Sequence, residues 1–222
     1  MRIAPAVEFE TGPSPDATVI LIHGLGASAD TFLPVARKLA SSQESPVRFI
    51  LPNAPMRPVT WCEGRIMSAW YDLVEDDFLA QEDEVGMRQS ERYFRSLIHN
   101  EMHRGIPPSR VIIGGFSQGG AMSLLTGLEF PDQLAGVFAL SGYLPLRTRL
   151  AMEHITVRNG LPIFLGHGGQ DEYVPLFRAE EARDQLRGWG HSVSYNCYAL
   201  GHTINEQELK SLSSWISATL DH

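Results

Sequence analysis

The stretch Val111-Ile112-Ile113-Gly114-Gly115-Phe116-Ser117-Gln118-Gly119-Gly120-Ala121-Met122 constrains the fold of this chain more than any other. A β-branched apolar run enters it, glycines bracket one serine, and an Ala/Met/Leu run leaves it. This order reads as strand, sharp turn and helix, with Ser117 at the apex. Gly115 and Gly119 make room for a strained backbone at the turn. The serine hydroxyl is thereby held at a sheet edge and at a helix N-terminus, where the helix dipole favours negative charge.

Other apolar runs extend the same unit. Thr18–His23, Val47–Leu51, Gly136–Leu140 and Pro162–Gly166 are short and nearly all apolar, as strands covered on both faces are. His191–Leu200 reads as a last strand. Helical patterns follow at Phe32, Val35, Ala36 and Leu39, and near 83–104, 118–129, 176–188 and 204–219. Strands alternating with helices predict an α/β protein with a mostly parallel, doubly wound sheet. With no repeat, low-complexity tract or linker, the expectation is a single domain over residues 1–222 without a large lid domain.

Composition narrows the partners. A formal net charge of −8 and the lack of a basic cluster argue against nucleic acid. No apolar stretch reaches membrane-spanning length. The two cysteines, Cys62 and Cys197, form no metal or redox spacing, which points to a reducing compartment. A soluble cytoplasmic protein is the expectation.

A serine hydroxyl needs a base, and eight histidines compete for that role. His99 and His103 share a charged helix end without zinc-motif order; His154, His191 and His222 lie in polar surroundings and read as surface residues. His23 and His167 end strands and precede glycines. His202 follows the last strand directly, ahead of a helix whose Thr203-Ile204-Asn205-Glu206 fits a capping box. It is the candidate base. Asp171, after the strand ending at Gly166, is the candidate acid that would orient it, with Glu172 and Asp132 as competitors. For an oxyanion, the amide of Gln118 and an amide of His23-Gly24-Leu25-Gly26, with Leu25 preferred, are the candidate donors.

From Asn53 to Gln81 the chain makes a long excursion of little regular pattern, passing Trp61, Met67, Trp70, Tyr71, Leu73 and Phe78. It leaves the carboxyl end of a strand, where open α/β sheets bind ligands. Trp70, Tyr71 and Leu73 are candidates to line an acyl groove, or else they pack the excursion onto the body of the protein. The acids Glu75, Asp76, Asp77, Glu82, Asp83 and Glu84 read as dipole complements on a solvated face ahead of a helix rather than as a metal site.

Taken together, Leu21–Gly26, Leu51–Thr60, Gly115–Gly120, Ser141-Gly142-Tyr143-Leu144-Pro145, His167-Gly168 with Asp171 and Val174-Pro175, and Gly201-His202 resemble the phospholipase/carboxylesterase family of α/β-hydrolases, across about residues 17–220. The resemblance implies a serine esterase with Ser117, Asp171 and His202 as triad and Leu25 and Gln118 around the oxyanion. It adds Tyr143 and Val174 to the candidate substrate-binding residues. The implied substrate is a small-molecule or acyl ester, with no metal and no cofactor, and homodimers occur in the family. Two departures stand out: Trp61–Arg65 differs from many relatives, and Gly169 stands where a further Asp is common.

Two readings of other classes compete with this one. Gly24-x-Gly26-x-x-Ala29 has the spacing of a dinucleotide fingerprint, but the next strand ends Leu51-Pro52-Asn53, without the ribose-binding acid. A catalytically inactive relative acting as a binding protein is the other. Within the family, lysophospholipase and acyl-protein thioesterase are the alternatives to a simple carboxylesterase.

Overall fold

The computed structural model describes residues 4–75, 79–153 and 160–221. Asp76, Asp77, Phe78, His154 and His222, named above, lie outside them. Seven strands form the main sheet: β1 (Val7–Glu10), β2 (Ala17–Ile22), β3 (Val47–Leu51), β6 (Val111–Phe116), β7 (Gly136–Leu140), β8 (Pro162–Gly168) and β9 (Ser192–Tyr198), in the order β1-β3-β2-β6-β7-β8-β9. Only β1 runs antiparallel to its neighbour. The remaining pair, β4 (Met56–Val59) and β5 (Arg65–Ser68), makes a separate hairpin.

Side-chain alternation divides the core. Val19 and Leu21 of β2 face one cluster, shared with Phe32, Ala36 and Leu39 of α1 (Ala29–Ala40) and Leu212 and Ile216 of α6 (Glu206–Leu220). Ile20 and Ile22 face the other, with Phe94 of α2 (Glu84–His103), Leu124 of α3 (Gln118–Glu129) and Leu186 of α5 (Leu176–Gly188). A sheet covered on both faces must be apolar at every residue, which is why β2 reads as one unbroken run. A short helix, α4 (Arg147–Glu153), follows the loop after β7.

The strand order reverses between β2 and β6. In open α/β sheets this switch point opens a crevice at the carboxyl ends of the strands. The loop after β2 and the turn after β6 therefore meet at one rim.

Four expectations are corrected. The excursion after Asn53 contains the β4–β5 hairpin, turned by Glu63 and Gly64, both at positive φ. Its four-residue strands, one carrying Pro58, are too short to announce themselves. Helix α6 is capped by Asn205, whose side chain accepts the Glu208 amide, rather than by Thr203. His191 is buried between α5 and β9, not at the surface. Glu82 is not merely a solvated acid, because its Oε1 accepts the Leu146 amide at 2.6 Å. Asp83, by contrast, is the N-cap of α2, accepting from Gly86 N at 2.9 Å. Among the described residues no helix is long and apolar enough to cross a membrane.

Candidate active site

Ser117 stands between β6 and α3 with φ 55° and ψ −120°, in the left-handed half of backbone space that L-residues rarely occupy. Its own amide donates to Leu140 O at 2.8 Å, which ties the turn to β7. The bracketing glycines have a steric reason. A β-carbon on Gly119 would come within 2.6 Å of His23 O, and one on Gly115 within 2.7 Å of the Gly119 carbonyl carbon. Only glycine lets the start of α3 lie this close to the end of β2.

Three side chains predicted from distant parts of the sequence converge here. His202 Nε2 lies 3.0 Å from Ser117 Oγ, and His202 Nδ1 lies 2.7 Å from Asp171 Oδ2. The other oxygen, Asp171 Oδ1, accepts the amides of Tyr173 and Val174 at 3.0 and 2.8 Å. Burial pushes the Asp171 carboxyl up, but the His202 and Val174 hydrogen bonds, the nearby imidazole and the Tyr173 amide outweigh it. The group is held below its ordinary value and stays ionised. An ionised acceptor on Nδ1 fixes the tautomer whose Nε2 faces the serine with a lone pair. The imidazole lies between the rings of Phe116 and Tyr173, with centroids 4.7 and 5.4 Å away. Glu172, the competing carboxylate, accepts the His202 backbone amide at 3.3 Å instead.

Beside the serine lies a cavity of about 270 Å³. Leu25 and Gln118 line it, as do Tyr71, Leu73, Tyr143 and Val174. Trp70 does not. Its indole donates to His23 O at 2.8 Å and packs on Phe94, so Trp70 packs the excursion onto the body of the protein rather than lining the groove. Phe32, Trp61, Phe116 and Tyr173 line the cavity without having been singled out for it. Phe116 and Tyr173 adjoin Ser117 and Asp171 nearly in sequence, and that adjacency was the signal available.

Two buried residues organise this rim. His23 Nδ1 is 2.8 Å from Gly24 O, and its Nε2 accepts the Ala54 amide at 3.2 Å. Burial lowers its pKa despite the opposing Gly24 hydrogen bond, so it is neutral, as an Nε2 acceptor requires. The Gln118 side chain clamps the excursion, accepting from Trp70 N at 2.8 Å and donating to Tyr71 O at 3.0 Å. Gln118 also opens α3, and amides of a first helical turn have no acceptor within their own helix. From sequence, His23 is visible only as part of a glycine loop and Gln118 only through its amide. Cys62 and Cys197 are free thiols, Cys62 partly buried and Cys197 exposed.

A mostly parallel sheet, a strained serine turn after β6 and a histidine after the last strand define an α/β-hydrolase. Residues 5–220 match the family described as phospholipase/carboxylesterase, and the chain belongs to that family of serine hydrolases. It is 35% identical to acyl-protein thioesterase 1 of Gibberella zeae, over 99% of this chain and 97% of that one. It is 37% identical to acyl-protein thioesterase 1 of Neurospora crassa, over 98% and 91%. Among solved structures, Arabidopsis thaliana SOBER1 is similar at TM-score 0.85 and 31% identity, covering 92% of this chain and 99% of its own. Zea mays acyl-protein thioesterase 2 gives 0.79 and 26%, covering 96% and 99%.

Proposed function

We propose that this chain, acting as one domain, hydrolyses carboxylic esters and thioesters through an acyl-enzyme formed on Ser117. The observation that carries the reading is the unbroken hydrogen-bonded line Asp171–His202–Ser117 at the mouth of an apolar cavity. Ser117 Oγ attacks the acyl carbonyl while His202 Nε2 takes its proton, and Asp171 stabilises the resulting imidazolium. The oxyanion is received by the amides of Leu25 and Gln118, aided by the positive end of α3. His202 then protonates the departing alkoxide or thiolate. It next deprotonates a water that adds to the acyl carbon, and returns that proton to Ser117 Oγ as the acid is released. Nucleophile, base and donors all come from the chain, so no metal or cofactor enters the scheme. Thioesters belong in the proposal because both curated relatives above are named as acyl-protein thioesterases.

The test is Ser117→Ala, assayed on an alkyl ester and an acyl thioester side by side. We expect kcat to fall by about 10⁴-fold or more on both, with the circular-dichroism spectrum unchanged. A fluorophosphonate should label the wild type and not the variant. Undiminished turnover by Ser117→Ala would defeat the assignment.

A further inference from the structure

The cavity beside Ser117 is not the only hollow at this rim. A second one, of about 480 Å³, is lined by Leu79, Leu144, Arg147, Arg178 and Glu181 among others. Among the described residues, Tyr143 lines both. The two spaces differ in chemistry. The first is walled mainly by aromatic and aliphatic side chains, whereas in the second Glu181 pairs with both Arg147 and Arg178 at 3.0 Å.

Two buried phenols form the partition. Tyr143 comes from the loop after β7 and Tyr71 from the excursion after β5, and their hydroxyls meet at 2.5 Å. Both side chains are almost fully buried, at 3% and 1% exposure. The Tyr71 carbonyl is held by Gln118 Nε2, one residue from the serine, and Glu82 holds the Tyr143 loop through the Leu146 amide. Burial raises the pKa of both phenols, so the pair meets as two neutral hydroxyls, one donating to the other.

Resting on the hydrolase reading above, we propose that Tyr143, braced by Tyr71, is the end wall of the acyl site and restricts the enzyme to short and medium acyl chains. A chain that grows from Ser117 toward this wall meets the Tyr143 ring before it can reach the second cavity. A chain that outgrows this space would have to displace the Tyr143 ring, turn back out through the open mouth, or enter the charged second cavity.

The experiment measures kcat/KM for a homologous series of p-nitrophenyl esters from acetate to palmitate, each below its micelle concentration. In the wild type, kcat/KM should rise up to about four-fold per added methylene while the cavity fills. The rise should stop short of palmitate and then reverse. Tyr143→Phe keeps the ring and should stop at the same length. Tyr143→Ala opens the wall and should carry the rise to longer chains than in the wild type; Tyr143→Leu serves if the alanine variant does not fold. A wild-type rise that continues to palmitate, or a Tyr143→Ala or Tyr143→Leu profile that stops where the wild type does, overturns the end wall and leaves the hydrolase standing. If no ester is turned over and Ser117 takes no fluorophosphonate, it is the hydrolase reading that fails.

Discussion

At the scale of single residues, the informative side chain is one outside the proposed triad. In a trans peptide the C=O and N–H point in opposite directions. The Gly24 carbonyl is held by His23 Nδ1 at 2.8 Å and by the Ala27 amide at 3.3 Å. The Leu25 N–H of that same peptide therefore has its direction set from behind. His23→Ala should free this plane and weaken one oxyanion donor, whose complete loss costs about 2.7–4 kcal/mol. The expected outcome is a kcat lowered by about ten- to a hundred-fold with KM little changed, read from steady-state kinetics. Equal loss in KM would instead indicate a deformed binding cavity. Gly119→Ala tests the same junction from the other side. Its methyl would press on the His23 carbonyl, and overpacking of this kind costs about 1–3 kcal/mol, measured by denaturant midpoint. Asp171→Asn keeps the shape but removes the charge that fixes the His202 tautomer, so kcat should fall by about 10⁴-fold.

At the scale of elements, legibility followed burial. Strands β2, β6, β7 and β8 lie between two helical layers, so each is a continuous apolar run that the sequence displays openly. Strand β1, Val-Glu-Phe-Glu, is a short antiparallel edge with half its side chains in solvent, and four residues of alternation do not stand out from a loop. The hairpin was hidden for a different reason. It is held by contacts from outside itself: the Trp61 amide to Leu73 O at 2.7 Å, and Thr60 N and Oγ1 to Asp72 at 2.7 and 2.6 Å. Tertiary partners of that sort leave no local pattern. Ser117 and Asp171 were readable because they come just after the buried strands β6 and β8, and His202 because it stands between the last strand and a helix. Trp70 was not, since nothing in an aromatic cluster tells which ring faces the cavity and which faces the core. The cap of α6 slipped by two residues because Thr203 and Asn205 both have capping side chains. Asn205→Ala should therefore destabilise the protein by about 1 kcal/mol, whereas Thr203→Ala should be nearly neutral in the same denaturation assay.

For the whole molecule, the proton inventory of the buried groups sets how stability varies with pH. His23 and His167 are fully buried, and burial lowers both pKa values below 6.5 despite opposing hydrogen bonds to Gly24 O and Val174 O. As pH falls through 6.5 the unfolded chain takes up these protons and the native one does not, so stability declines on the acid side. Asp171, held below its usual 3.8, adds to that decline only at lower pH. Glu208 acts in the opposite sense. It sits at 0% exposure in the first turn of α6, against Gly166 of β8, where a methyl group would strike its Oε1. Neither carboxyl oxygen has a hydrogen-bond partner among the described residues, and the Tyr198 phenol, itself raised by burial, is the ionisable neighbour that feels its charge. Burial pushes Glu208 from 4.5 up to about 8. The native state then holds a proton that the unfolded chain has released. The Glu208 contribution is complete below about pH 4.5, declines as pH rises to about 8, and is level beyond. A shift of this size corresponds to roughly 3–5 kcal/mol. Glu208→Gln replaces the carboxylic acid by a neutral group of the same shape. It should match the wild type at about pH 4 and exceed it at about pH 9 by most of that amount, read from urea midpoints at the two pH values. Parallel pH profiles for the two proteins would mean that Glu208 is ionised inside the fold, and α6 would then have to supply the compensating dipole.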